Sequence, residues 1–201
     1  GIPAGPLLNG DWICHYANLG FDILVYKTVR SSAHECYPPP NLVPVKTVPL
    51  TTPDHEVPAS ASAQPSWAVS FWMPSVAPAV WQADIRRTRD RLPEGKLLVV
   101  SVVATQDPSL TDSSLALQQI ADDYAATAQM AVAAGADGIE ANFSCPNVTT
   151  SDGQLFQHPA AATHVAMAIR EAIGDTPLVI KIGHTSSRTH IQRLVDAVAT
   201  A

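Results

Sequence analysis

The chain has 201 residues, 46% of them apolar, and a formal net charge of -6. That length suits one domain with a sizeable core, and the acidic balance argues against general nucleic-acid affinity. No apolar run reaches the roughly eighteen residues of a membrane span. Cys14, Cys36 and Cys145 follow no metal or redox spacing, and their odd number fits a reducing, cytoplasmic setting. Position 1 is Gly1, not Met, and the first residues already read as structure, so the natural start is expected upstream.

Strand and helix signals alternate, which argues for a parallel α/β architecture. Residues 21–29 are predicted as a strand. Residues 31–65, with the triplet Pro38-Pro39-Pro40, are predicted as an irregular excursion, either a lid or a surface insertion. Residues 67–71 form a short strand. Residues 78–91 form a helix with proline in its first turn and a basic last turn. Residues 97–103 are continuously apolar, as expected of a strand buried on both faces. Leu117, Ile120, Tyr124, Ala128 and Ala131 mark one helical face, closed by Gly135. Residues 138–143 form a strand, 159–173 a helix ended by Gly174, and 177–182 a strand. A last helix begins at 189.

The densest chemistry is Asn142-Phe143-Ser144-Cys145-Pro146-Asn147, where a thiol stands among carboxamides as a strand stops. A thiol can be base or nucleophile, and asparagine can both donate to and accept from a heterocycle edge. Alternation places Glu140, Asn142 and Ser144 on one strand face and Ile139, Ala141 and Phe143 on the other. Lys27 and Lys181 fall opposite their apolar strand neighbours, so both are expected on the polar, inner face. A lysine there needs an anion. Glu140 or Asp22 would be an ordinary structural partner, and a ligand a functional one.

These residues carry a resemblance. The run 142–148 resembles the Asn-Leu-Ser-Cys-Pro-Asn-Val motif of class 1 dihydroorotate dehydrogenases, and is similar to one in the flavin domain of dihydropyrimidine dehydrogenase. Gly1-Ile2-Pro3-Ala4-Gly5-Pro6, Tyr26-Lys27-Thr28-Val29, Met73-Pro74-Ser75 and Pro177-Leu178-Val179-Ile180-Lys181-Ile182 resemble further landmarks in the family's order. The resemblance implies a (β/α)8 TIM barrel of the FMN-linked oxidoreductase type. Strands at Gly1, Phe21, Leu97, Gly138 and Leu178 would be its first five, so the chain reads as truncated at both ends.

The resemblance also implies FMN as cofactor, with Ala4, Gly5, Lys27, Thr28, Asn142 and Lys181 around it. Lys181 would lie beside the flavin N1, and Cys145 would be the general base of a CH–CH oxidation. Lys27, Ser70, Met73, Asn142 and Asn147 would meet the substrate, either dihydroorotate or another cyclic or unsaturated compound. One stretch departs from the pattern. The family's Asn-Ser-x-Gly-x-Pro loop reads here Val69-Ser70-Phe71-Trp72-Met73-Pro74. A polar partner is lost, and Trp72 either fills pocket space or offers a stacking surface.

Other signals are weaker. His34-Glu35-Cys36 reads as chance, and no metal site is expected. Arg86, Arg87, Arg89 and Arg91 read as a solvated helix face. Asn147-Val148-Thr149 overlaps the proposed site, so glycosylation is set aside. No dinucleotide glycine pattern is present. A barrel aldolase using Lys181 as Schiff-base nucleophile and a non-catalytic flavin-binding barrel remain open alternatives. A small-molecule partner and a possible homo-oligomer complete the expectations.

Overall fold

The computed structural model describes residues 1–46, 56–62, 64–107, 109–144 and 154–199. In chain order the elements are α1 (Gly10–Asn18), β1 (Ile23–Val29), β2 (Leu42–Val45), β3 (Ser66–Val69), α2 (Pro78–Arg91) and β4 (Leu97–Val102). There follow α3 (Ser113–Ala133), β5 (Gly138–Asn142), a 3-10 turn (Leu155–Gln157), α4 (Pro159–Ile173), β6 (Leu178–Lys181) and α5 (Arg188–Val198). Capping explains the helix starts. Asn9 and Asp112 accept from the first N–H groups of α1 and α3, Ser187 from that of His190, and proline opens α2 and α4.

A four-stranded parallel sheet, in the order β1-β4-β5-β6, forms the centre. Register partners present side chains to the same face. On the helix-covered face Leu24, Leu98, Val100, Ile139 and Ala141 are fully buried. Ile120, Tyr124, Ala128 and Ala131 of α3 join this core, as the sequence periodicity implied. The opposite face carries successive rows: Ile23 with Leu97, then Val25, Val99 and Gly138, then Ser101, Glu140 and Val179, then Asn142 with Lys181. The polar rows lie at the C-terminal strand ends.

Several expectations need correction. The first strand contracts to one bridge, Ile2 to Leu24, because Pro3 and Pro6 cannot donate to a ladder. Strand β4 is not buried on both faces: Leu97 is 47% exposed, as is its register partner Ile23. The excursion is not wholly irregular. Strands β2 and β3 form an antiparallel ribbon pairing Leu42 with Val69 and Val45 with Ser66, and Ala59 bridges back to Val45. Pro44 hides this strand in the sequence, yet its carbonyl accepts from Ser60 N–H at 2.9 Å. Arg89 is not part of a solvated face. It bonds Asp137, whose carboxylate also accepts the Leu98 N–H at 2.7 Å, tying α2 to the loop before β5.

Candidate active site

Strand β1 is interrupted where chemistry begins. Tyr26 pairs with Val100 but Val29 with Val102, so three steps on one strand match two on the other. This bulge breaks the alternation. Consecutive residues Lys27 and Thr28 therefore line the same cavity, of about 750 Å³, at the C-terminal end of the sheet. The Thr28 and Ser101 hydroxyls are 2.8 Å apart, which pins the bulge to β4.

Both lysines anticipated on the inner face reach this cavity. The Lys27 ammonium donates to the Pro74 carbonyl at 2.6 Å and to its neighbour Thr28 at 3.4 Å. Lys181 Nζ is 3.3 Å from Glu140 Oε1. The angle there is too poor for a hydrogen bond, so the contact is an ion pair only. Of the two carboxylates weighed as its partner, Glu140 is the one found, and Asp22 instead meets Lys96 at 2.7 Å. Asn142 lies between the lysines, 2% exposed. Its backbone carbonyl accepts from Tyr124 Oη at 2.7 Å, and its amide donates to Met73 Sδ at 3.3 Å. A thioether is a weak acceptor, so that donor can turn to a ligand at little cost.

The opposite wall is the segment after β3. Trp72 and Met73 take positive φ values of 62° and 44°, rare for side chains other than glycine. Met73, Pro74 and Ser75 line the cavity; Trp72 does not. Its ring stacks on Tyr37 at 4.7 Å between centroids, 3° from parallel. Trp72 thus does not fill pocket space; its stacking partner is protein.

Beneath the site, Asp84 of α2 accepts from Tyr26 Oη at 2.7 Å, from Gly10 N–H at 2.8 Å and from Arg87 at 3.0 Å. Burial pushes the Asp84 carboxyl up, but these hydrogen bonds outweigh it and hold it below the usual carboxylate range. Burial, and next the bond to Asp84, raise the Tyr26 phenol far above its ordinary value.

Of the residues singled out from sequence, Ala4, Gly5, Lys27, Thr28, Met73, Asn142 and Lys181 meet around this one cavity. Ser70 stands apart, its backbone paired with Asn41. Cys145 and Asn147 lie outside the described residues. Ser144, just before them, does line the cavity, as does His34, which the sequence reading dismissed. Its signal was positional: His34 pairs through its backbone with Ser75, N–H to carbonyl in both directions at 2.8 and 2.9 Å.

The lining suits a flat, anionic heterocycle. Gly5 and Ala4 leave a smooth surface, and a Cβ built on Gly5 would meet nothing within 4 Å. Two ammonium groups, an amide and hydroxyls stand around that space. Among the described residues no group of three histidine, cysteine, aspartate or glutamate side chains could hold a metal.

Two known proteins are similar to this chain. The chain is 30% identical to a dihydroorotate dehydrogenase of Dictyostelium discoideum over an alignment of 217 residues, covering 100% of this chain and 56% of that protein. It also matches a crystal structure of DHODH from Eimeria tenella, there in complex with ferulenol, with a TM-score of 0.65. That match has 12% identity and covers 96% of this chain and 51% of the other, so it speaks for the fold alone. No protein-family model matches the chain. The chain spans about half the length of both proteins. Along its whole length, the chain is similar in sequence to that dihydroorotate dehydrogenase of Dictyostelium discoideum.

Proposed function

We propose that this chain forms the cofactor- and substrate-facing walls of an FMN-dependent oxidoreductase acting on a CH–CH bond, within a (β/α)8 barrel. The observation that carries the reading is the convergence of Lys27, Lys181 and Asn142 on one cavity that buried Ala4 and the open Gly5 also line. When bound, the flavin supplies the hydride acceptor. Gly5 and Ala4 would let the backbone approach its ring, and Thr28 and Asn142 would hold its polar edge. Lys181 offsets negative charge there. Lys27 faces the substrate, a small cyclic compound of the dihydroorotate kind. Cys145, directly after Asn142-Phe143-Ser144, takes the substrate proton as general base. A free thiol titrates near about 8.5, so an alkaline activity limb is expected.

The aldolase alternative is less well supported. It uses Lys181 alone and leaves Lys27 and Asn142, which line the same cavity, without a role. The experiment is anaerobic mixing of the intact protein with dihydroorotate. Bleaching of a flavin band is expected. A borohydride-trapped adduct at Lys181 without flavin would overturn the reading in favour of the aldolase.

A further inference from the structure

We infer that Tyr37 and Trp72 form an aromatic latch that positions Lys27 in the site. The latch rests on the proposed function only in taking Lys27 as ligand-facing. The backbone at Trp72 and Met73 is left-handed, at φ 62° and 44°. Such a conformation brings the side chain close to backbone and disfavours any residue but glycine. A bulky indole there needs compensation from its surroundings. Two rings of the excursion supply it. Tyr37 lies flat on the indole at 4.7 Å, and His34 meets it edge-on at 4.3 Å, 69° from parallel. Stacked and edge-to-face contacts of this kind are both attractive.

The turn so held is joined directly to the site. Arg30, 1% exposed, donates through Nε to the Met73 carbonyl at 3.3 Å and through its backbone N–H to Ser75 Oγ at 3.1 Å. Its guanidinium also reaches the Ala104 carbonyl and Thr105 beyond β4. The next carbonyl, of Pro74, takes the Lys27 ammonium at 2.6 Å. The Met73 thioether takes the Asn142 amide. The excursion therefore acts on the cavity through one turn: Tyr37 to Trp72, Trp72 to the Met73 and Pro74 positions, and these to Asn142 and Lys27. Tyr37 and Trp72 are positioning residues, since neither lines the cavity.

The test compares four variants of the intact protein by hydrogen exchange at the amides of residues 70–76 other than Pro74. Tyr37→Ala should speed exchange there by about threefold to tenfold, the loss of one aromatic pair. Tyr37→Phe, which keeps the ring, should stay within about twofold. The decisive pair is at position 72. Trp72→Ala keeps the left-handed strain and loses the stack, whereas Trp72→Gly loses both. Glycine should therefore be better protected than alanine by about fivefold or more, the reverse of their usual order. Amides of α4 should not change in any variant. Steady-state kinetics with dihydroorotate should show a raised KM in Tyr37→Ala with kcat within about twofold. Unchanged 70–76 exchange in Tyr37→Ala, or better protection in Trp72→Ala than in Trp72→Gly, would overturn the latch. If dihydroorotate is not oxidised at all, the functional reading fails, while the exchange data still decide the latch.

Discussion

Glu140 and Lys181 occupy adjacent strands one row apart, and their charged atoms meet at 3.3 Å with the carboxylate side chain only 9% exposed. The lysine is half-open to the cavity and the glutamate is not. Deleting the lysine therefore strands a buried charge, whereas deleting both charges does not. Lys181→Ala should cost about 1–3 kcal/mol, less than a fully buried pair because Lys181 is partly solvated. Glu140→Gln combined with Lys181→Met should recover at least half of that loss. Urea denaturation of the set checks this. A double variant no more stable than Lys181→Ala would mean that the pair is not coupled.

The Tyr26–Asp84 bond should shape stability against pH. Asp84 is depressed when folded, so its contribution is present above the unfolded carboxylate value of about 3.9 and is lost as pH falls through the folded value. Tyr26 is raised when folded, so its contribution is full below about pH 10 and is lost as pH rises towards the folded value. Tyr26→Phe should cost about 1.5–3 kcal/mol near neutrality, the range for a hydrogen bond to a charged group. It should also flatten the alkaline limb and shrink the acid one. Denaturation midpoints from pH 3 to 11 test this, and a variant with the parent's pH profile would refute the assignment.

Helix α1 meets α2 through Gly10. A Cβ there would stand 2.0 Å from Thr88 Oγ1, which itself bonds the Asp84 carbonyl at 2.6 Å. Gly10→Ala should destabilise by about 1–3 kcal/mol by overpacking, although alanine favours helix. Gly10→Ala with Thr88→Ala should relieve most of the loss. Thermal melts of the two variants distinguish packing from propensity.

Cys145→Ala should leave flavin binding intact and slow flavin reduction by substrate about 10²- to 10⁴-fold, the usual contribution of a general base. Stopped-flow absorbance of the intact protein measures it. Reduction at the parent rate would remove Cys145 from the chemistry.

Much of this architecture is legible in the sequence where one local rule decides. Helix α2 runs from Pro78 to Arg91, where its first-turn proline and basic last turn put it, and α4 runs from Pro159 to Ile173, where Gly174 ends it. Glu140 and Asn142 face the inner side because alternation in β5 is unbroken. The rest depends on partners distant in sequence. Strict alternation separates Lys27 from Thr28, and only the bulge against Val100 and Val102 brings them together. Pro44 disguises β2 because its acceptability depends on which strand edge it occupies. Trp72 reads either as a pocket filler or as a stacking surface until Tyr37, 35 positions earlier, is placed flat on its ring.

Titration of the intact protein with FMN decides whether the cavity around Lys27, Asn142 and Lys181 holds a flavin. The parent should quench FMN fluorescence saturably, and Lys181→Ala and Lys27→Ala should each weaken binding by about tenfold or more, the loss of a charge-assisted contact. A folded intact protein that neither carries nor binds FMN, or one whose affinity is untouched by both lysine substitutions, would rule out a flavin in this cavity.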